Sequence, residues 1–185
     1  MLTRVEITKE YAHFEEVRDL YLRAFPDEER VPLWSLMRKT KRSGNQFLAF
    51  EDEGQFVGLT YEITEGDLTL LFFLAVNDQV RSKGYGSRIL EDIRTRHAGN
   101  RVIIEIEPVD AAAENAGQRE KRRAFYLRNG FEPAGFNVRE QGVEYEILSA
   151  GGPVTPDDFM AIMRSYSGRI LSLFFRVAVV RPDAD

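Results

Sequence analysis

The 185-residue chain contains no cysteine. That absence removes disulfides, thiolate metal sites and a cysteine nucleophile, so a group transfer here cannot pass through an acyl-cysteine. Histidine is scarce as well, with only His13 and His97. His13 falls inside the first predicted helix and His97 ends a later one, so neither is well placed to act as a base. No apolar run approaches the length of a membrane span, and no hydrophobic leader follows Met1, which points to a cytoplasmic protein without a membrane partner. Positive charge does not predominate: 25 − 30 gives a net −5. Together with the lack of interleaved basic and aromatic residues, this argues against a nucleic-acid partner. A hydrophobic content of 43% with 30% charged residues instead suits one folded soluble domain with a substantial core.

The hydrophobic period then lays out the elements. Residues 2–8 alternate as a strand. Tyr11, Phe14, Val17, Leu20, Tyr21 and Phe25 recur at helical spacing up to Pro26. Pro32 suits the first turn of a second helix running to Gly44. Strands over 46–52 and 55–64 flank the hairpin signal Glu53-Gly54, and a strand over 68–76 follows the turn at Gly66. A helix to about His97 and a strand over 101–107 come next. Asn115 reads as the N-cap of a further helix, with Gln118 three residues on, and Asn129-Gly130 as its left-handed stop. Strands over 131–138 and 142–148 close a hairpin. Thr155-Pro156-Asp157-Asp158 then opens a helix of about 156–167 with cap, proline and acidic first turn. The apolar segment after Ile170 shows no clean period and reads as either strand or helix.

The segment Leu68–Ile93, LTLLFFLAVNDQVRSKGYGSRILEDI, carries the chemistry. An apolar strand leads through Arg81-Ser82-Lys83-Gly84-Tyr85-Gly86-Ser87 into an amphipathic helix. Glycines at a helix start let the backbone approach a ligand, and the free N–H groups there attract phosphate. Arg81, Lys83, Arg88, Arg94 and Arg96 make the segment locally basic, although Arg94 and Arg96 fit a solvated helix face. There is no Walker loop. A dinucleotide fingerprint fails too, because its third glycine position holds Ile89. The bland reading is a glycine turn opening an ordinary helix.

Arg81-x-x-Gly84-x-Gly86 resembles the acyl-CoA-binding motif of the GNAT superfamily of N-acetyltransferases. Downstream, Arg122-Arg-Ala-Phe125-Tyr126-Leu-Arg-Asn129-Gly130-Phe131 resembles the same superfamily's helix-then-strand motif, in the family's order and spacing. The resemblance spans about residues 46–148. It implies an α/β (α+β) GNAT fold: a central mixed, mostly antiparallel twisted sheet flanked by helices. The domain would cover 1–149, with 150–185 as an extension packed on the same domain or on a second subunit, the protein being a monomer or homodimer.

The resemblance also implies acetyl-CoA as co-substrate and no metal. Pantetheine would follow Leu74, Ala75 and Val76, on a strand that the family splays from its neighbour. The phosphates would sit on the N–H groups of Arg81, Ser82, Lys83, Gly84, Tyr85, Gly86 and Ser87. Asn115, Arg119 and Arg122 become further cofactor contacts, Asn115 serving equally well as a cap. Tyr126 holds the position of the acid that protonates the departing thiolate, unless it is a packed aromatic. For the base, Glu107 comes first, then Glu62, then Glu29, with a water chain as the alternative. Glu29, Arg30 and Trp34 are candidate acceptor contacts, Trp34 being equally readable as core. The expected function is transfer of an acetyl group to a primary amine of a small molecule or peptide, in a ternary complex by direct attack. The alternative is a catalytically inactive CoA-binding module.

Overall fold

The computed structural model describes residues 2–27, 29–80, 84–140, 142–171 and 177–180. In chain order the strands are β1 (Thr3–Glu6), β2 (Asn45–Asp52), β3 (Gln55–Glu65), β4 (Leu68–Val76), β5 (Arg101–Ile106), β6 (Glu132–Glu140), β7 (Val143–Ala150) and β8 (Val177–Val180). The helices are α1 (Phe14–Ala24), α2 (Leu33–Lys39), α3 (Tyr85–Arg96), α4 (Ala116–Arg128) and α5 (Pro156–Leu171). This is a mixed, mostly antiparallel α/β fold, as expected. The chain divides into two compact units, residues 1–63 with 71–98 and residues 64–70 with 99–185. The division falls within β4.

In the first unit the strand order is β1-β2-β3-β4, with β1, β2 and β3 antiparallel. Alternation sends successive β3 side chains to opposite faces. Tyr61 points to α2, its hydroxyl 3.4 Å from the Leu36 carbonyl, and Phe73 of β4 packs on Tyr21 and Phe25 at ring separations of 5.2 and 4.7 Å. The opposite face takes α3, whose Ile89, Leu90 and Ile93 are buried at helical spacing. The helix α1 stops where Phe25 turns extended before Pro26. The helix α2 is shorter than the sequence suggests. Pro32 is extended and lies at the N-cap instead of the first helical turn, while the Asn45 amide donates to the Lys39 carbonyl at 3.0 Å and closes the helix five residues before Gly44.

In the second unit the order is β4-β5-β7-β6-β8. A parallel ladder pairs Leu68, Thr69 and Leu70 with Arg101, Val102 and Ile103, and the remaining pairs are antiparallel. The sheet carries α4 on the face where Glu146 meets Arg123, and α5 on the face where Phe136 meets Phe159 at 6.5 Å. Two cap expectations separate here. Thr155 and Asp158 form the reciprocal box, each backbone N–H donating to the other's side chain at 2.9 and 3.2 Å. Asn115 occupies the N-cap position of α4 without capping it; its side chain is drawn instead to Arg119 and Glu107. The C-terminal segment uses both of its readings. Helix α5 extends to Leu171, and β8 pairs with β6.

Candidate active site

The end of β4 is fastened before the glycine loop begins. Asn77 donates its backbone N–H to Val57 at 2.9 Å and its amide to the Phe56 carbonyl at 3.2 Å, and accepts from Gln79 N–H at 3.1 Å. Ahead of it, Leu74 and Val76 are half-buried and Ala75 is buried. Gly58 of β3 makes this packing possible. A Cβ there would lie 2.7 Å from the Ala75 carbonyl oxygen and 3.1 Å from Ile89 Cδ1, so only glycine lets β4 and α3 close on β3.

Gly84 is left-handed, at φ 69°, and among the described residues beyond its chain neighbours no atom lies within 4 Å of where its Cβ would be. The left-handed conformation, not crowding, is what favours glycine here. The first turn of α3 has no acidic residue, so its free N–H groups keep the partial positive charge that suits a phosphate. Gly84 and Ser87 are exposed and Gly86 half-buried. Arg81, Ser82 and Lys83 lie outside the described residues.

The basic character expected of this segment is partly spent internally. Tyr85 is buried, and its hydroxyl donates to Asp52 at 3.0 Å. Arg88 donates to the same carboxylate at 3.1 and 3.5 Å, its guanidinium 5.1 Å from the Tyr85 ring centre. Arg88 and then Tyr85 hold the Asp52 carboxyl below the usual range. Arg96 is not on a solvated face. It donates to Glu62 at 2.7 Å, to Asp92 at 2.8 Å and to Gln46 at 3.0 Å.

Glu62 is 0% exposed. Besides Arg96 it accepts from Thr60 Oγ1 at 2.8 Å and is bonded to His97 Nε2 at 2.8 Å. Burial pushes its carboxyl up, but the bonds from His97, Arg96 and Thr60 outweigh that and hold it low. It sits against the C-terminal end of α3, the opposite end from Gly84.

The second unit brings together Glu107, Asn115, Arg119 and Arg122. Glu107 lies one residue past β5. It accepts from Arg119 at 2.6 Å, from the Asn115 amide at 3.3 Å and from Arg122 at 3.5 Å, and its side chain keeps 20% exposure. Tyr126 is buried, edge-on to Phe125 and Phe131 at 5.1 and 5.5 Å. Burial pushes its phenol up, so it stays protonated across the physiological range.

The α1–α2 connection borders a shallow, open cavity of about 300 Å³ lined by Tyr21, Asp27, Arg30, Val31, Pro32 and Leu33. Arg30 is ion-paired with Asp27. The Tyr21 hydroxyl donates to the Val31 carbonyl at 2.9 Å, and burial pushes that phenol up to about 12. Trp34 is 61% exposed and so is not core. Glu29 sits in the turn, its N–H on the Pro26 carbonyl at 3.1 Å. Among the described residues no cluster of three or more histidines and carboxylates is set to hold a metal ion, and no helix is long and apolar enough to cross a membrane.

A mixed α/β fold with a left-handed glycine opening α3, whose first turn has no acidic residue, presents a candidate anion site. Residues 43–133 match the model of the acetyltransferase (GNAT) domain, and the chain carries an acetyltransferase domain of that type. Solved structures share the fold. A protein from Bacteroides thetaiotaomicron described as a GNAT-family acetyltransferase aligns with TM-score 0.69 and 20% identity, over 89% of this chain and 96% of its own. The aminoglycoside 6'-N-acetyltransferase from Enterococcus faecium aligns at 0.62 and 15%, over 83% and 99%. A GNAT-family acetyltransferase from Elizabethkingia anophelis with acetyl-CoA bound aligns at 0.56 and 14%, over 80% and 97%. No curated protein matches in sequence.

Proposed function

We propose that this protein is an acetyl-CoA-dependent N-acetyltransferase that acetylates a primary amine by direct attack, with both substrates bound together. The observation that carries the reading is the first turn of α3, opened by left-handed Gly84 and without an acidic side chain. In this reading the N–H groups of Gly84 to Ser87 hold the pyrophosphate, with Arg81, Ser82 and Lys83 completing the loop. The backbone of Leu74, Ala75 and Val76 pairs with the pantetheine arm, which Asn115 also touches, and Arg119 and Arg122 contribute positive charge. Acetyl-CoA supplies an activated carbonyl carbon.

Tyr126, whose phenol burial keeps protonated, is the acid that donates to the departing sulfur. Glu107 takes the ammonium proton, directly or through one water, because a base must be accessible and Glu107 is while Glu62 is 0% exposed. Glu62 then serves the fold. The cavity at Arg30, with Glu29 and Trp34 beside it in sequence, receives the acceptor, a small amine such as the Enterococcus relative's name implies or a peptide amine. A second reading, a CoA-binding module without turnover, draws support from the engagement of both candidate bases by arginine.

Calorimetric titration with acetyl-CoA, run beside Gly84→Glu, tests the reading. Saturable binding by the native protein, lost in the variant, is expected; a folded native protein that takes up no acetyl-CoA overturns it. Screening amines for CoA release then separates the two readings. Tyr126→Phe should lower kcat by roughly 10²-fold with little change in KM for acetyl-CoA.

A further inference from the structure

We infer that Asp52 is a positioning residue for the cofactor loop, acting through Tyr85 and Arg88. The inference rests on the reading of α3 as the pyrophosphate site. Asp52 is the last residue of β2, and the hairpin after it is tight, with Glu53 at φ 54° and Gly54 at φ 78°. One carboxylate there receives two side chains of α3: the Tyr85 hydroxyl at 3.0 Å and the Arg88 guanidinium at 3.1 Å. These are the first and fourth residues of the helix, three apart, so they share one face of its first turn. The arginine also lies over the tyrosine ring at 5.1 Å, which closes the three groups on one another.

The geometry matters because of what precedes it. Among the described residues beyond its chain neighbours, Gly84 has nothing within 4 Å of its Cβ position, and as a glycine it has little intrinsic stiffness. A helix start hinged on such a residue needs an external restraint if its N–H groups are to point one way. Ile89 against Gly58 fixes the second turn, and the Asp52 clamp fixes the first. The arrangement places a carboxylate near an anion site, which Arg88 offsets.

Tyr85→Phe removes one hydrogen bond and no charge. Asp52→Asn removes a negative charge, so through the field alone it would tighten CoA binding. The positioning role predicts that both variants weaken CoA in calorimetry, roughly three- to tenfold. It also predicts that KM for acetyl-CoA rises by a similar factor while kcat and the amine KM move less than twofold. Amide exchange over residues 86–89 of the ligand-free protein should quicken in both, which a loss of global stability alone would not confine to that turn. If the native protein binds CoA and the variants bind it equally or more tightly, the clamp fails and the cofactor reading stands. The clamp also fails if both KM values rise together. A native protein that does not bind CoA overturns the cofactor reading and the clamp with it. Should Asp52→Asn not fold, Tyr85→Phe decides.

Discussion

Two glutamates, one in each unit, the first fully buried and the second half-buried, respond to desolvation in opposite ways. Glu62 in the first is bonded to Arg96, His97 and Thr60, and its carboxyl is held below the ordinary range despite complete burial. Glu140 in the second, on β6 between Val143 and Val177, has a buried Oε1 with no donor among the described residues, and burial pushes its carboxyl up to about 7. The desolvation penalty is common to both. Donors within hydrogen-bond distance decide which protonation state the fold prefers. Glu62 is therefore a charge that the structure is built around, and Glu140 one that the structure tolerates by protonation.

The largest break in this contrast is Glu62→Ala. It leaves Arg96 and His97 facing an empty buried site, and the expected loss is about 3–5 kcal/mol in chemical denaturation. A loss below about 1 kcal/mol would mean that the network is replaceable by water. The pH dependence sharpens the same comparison. Glu62 is lower in the folded state than in the unfolded chain, so its contribution is present above about pH 4 and fades as acid titrates the folded group. Glu140 is higher in the folded state, so the fold is penalised progressively as pH rises from about 4 to 7 and uniformly above. Through these two groups alone, stability peaks between about pH 4 and 5, at the glutamate pKa of the unfolded chain, and thermal unfolding from pH 4 to 8 reads the slope. The smallest effect is Glu140→Gln. It should stabilise by up to about 3 kcal/mol at pH 8, where the folded group must ionise, and by almost nothing at pH 4. Equal effects at both pH values would show that packing, not ionisation, dominates the site.

What was legible in the sequence was whatever short-range chemistry dictates. The strand alternation, the glycines ahead of α3, the Thr155–Asp158 box and the left-handed stop at Gly130 all follow from neighbours within a few residues. The clamps on α3 were not legible. Asp52 meets Arg88 across 36 positions, and Glu62 meets Arg96 and His97 across 34 and 35. Helical spacing shows that Arg96 is off the apolar stripe, but not that a carboxylate from β3 waits there. Asn115 shows how a local signal can lose. A cap-competent amide was present, and Arg119, one helical turn on at 2.7 Å, took its oxygen instead.

Trp34 gives the α1–α2 region a reporter of its own. It is the single tryptophan of the chain and is 61% exposed, next in sequence to Leu33 of the cavity wall. Its fluorescence comes without background from any second indole and starts from a water-facing environment. An acceptor settling over α2 would strip solvent from the ring and move the emission to shorter wavelength, while a cofactor held at α3 alone would leave the spectrum where it was. Ligands can thus be sorted by where they dock before any of them is known to react.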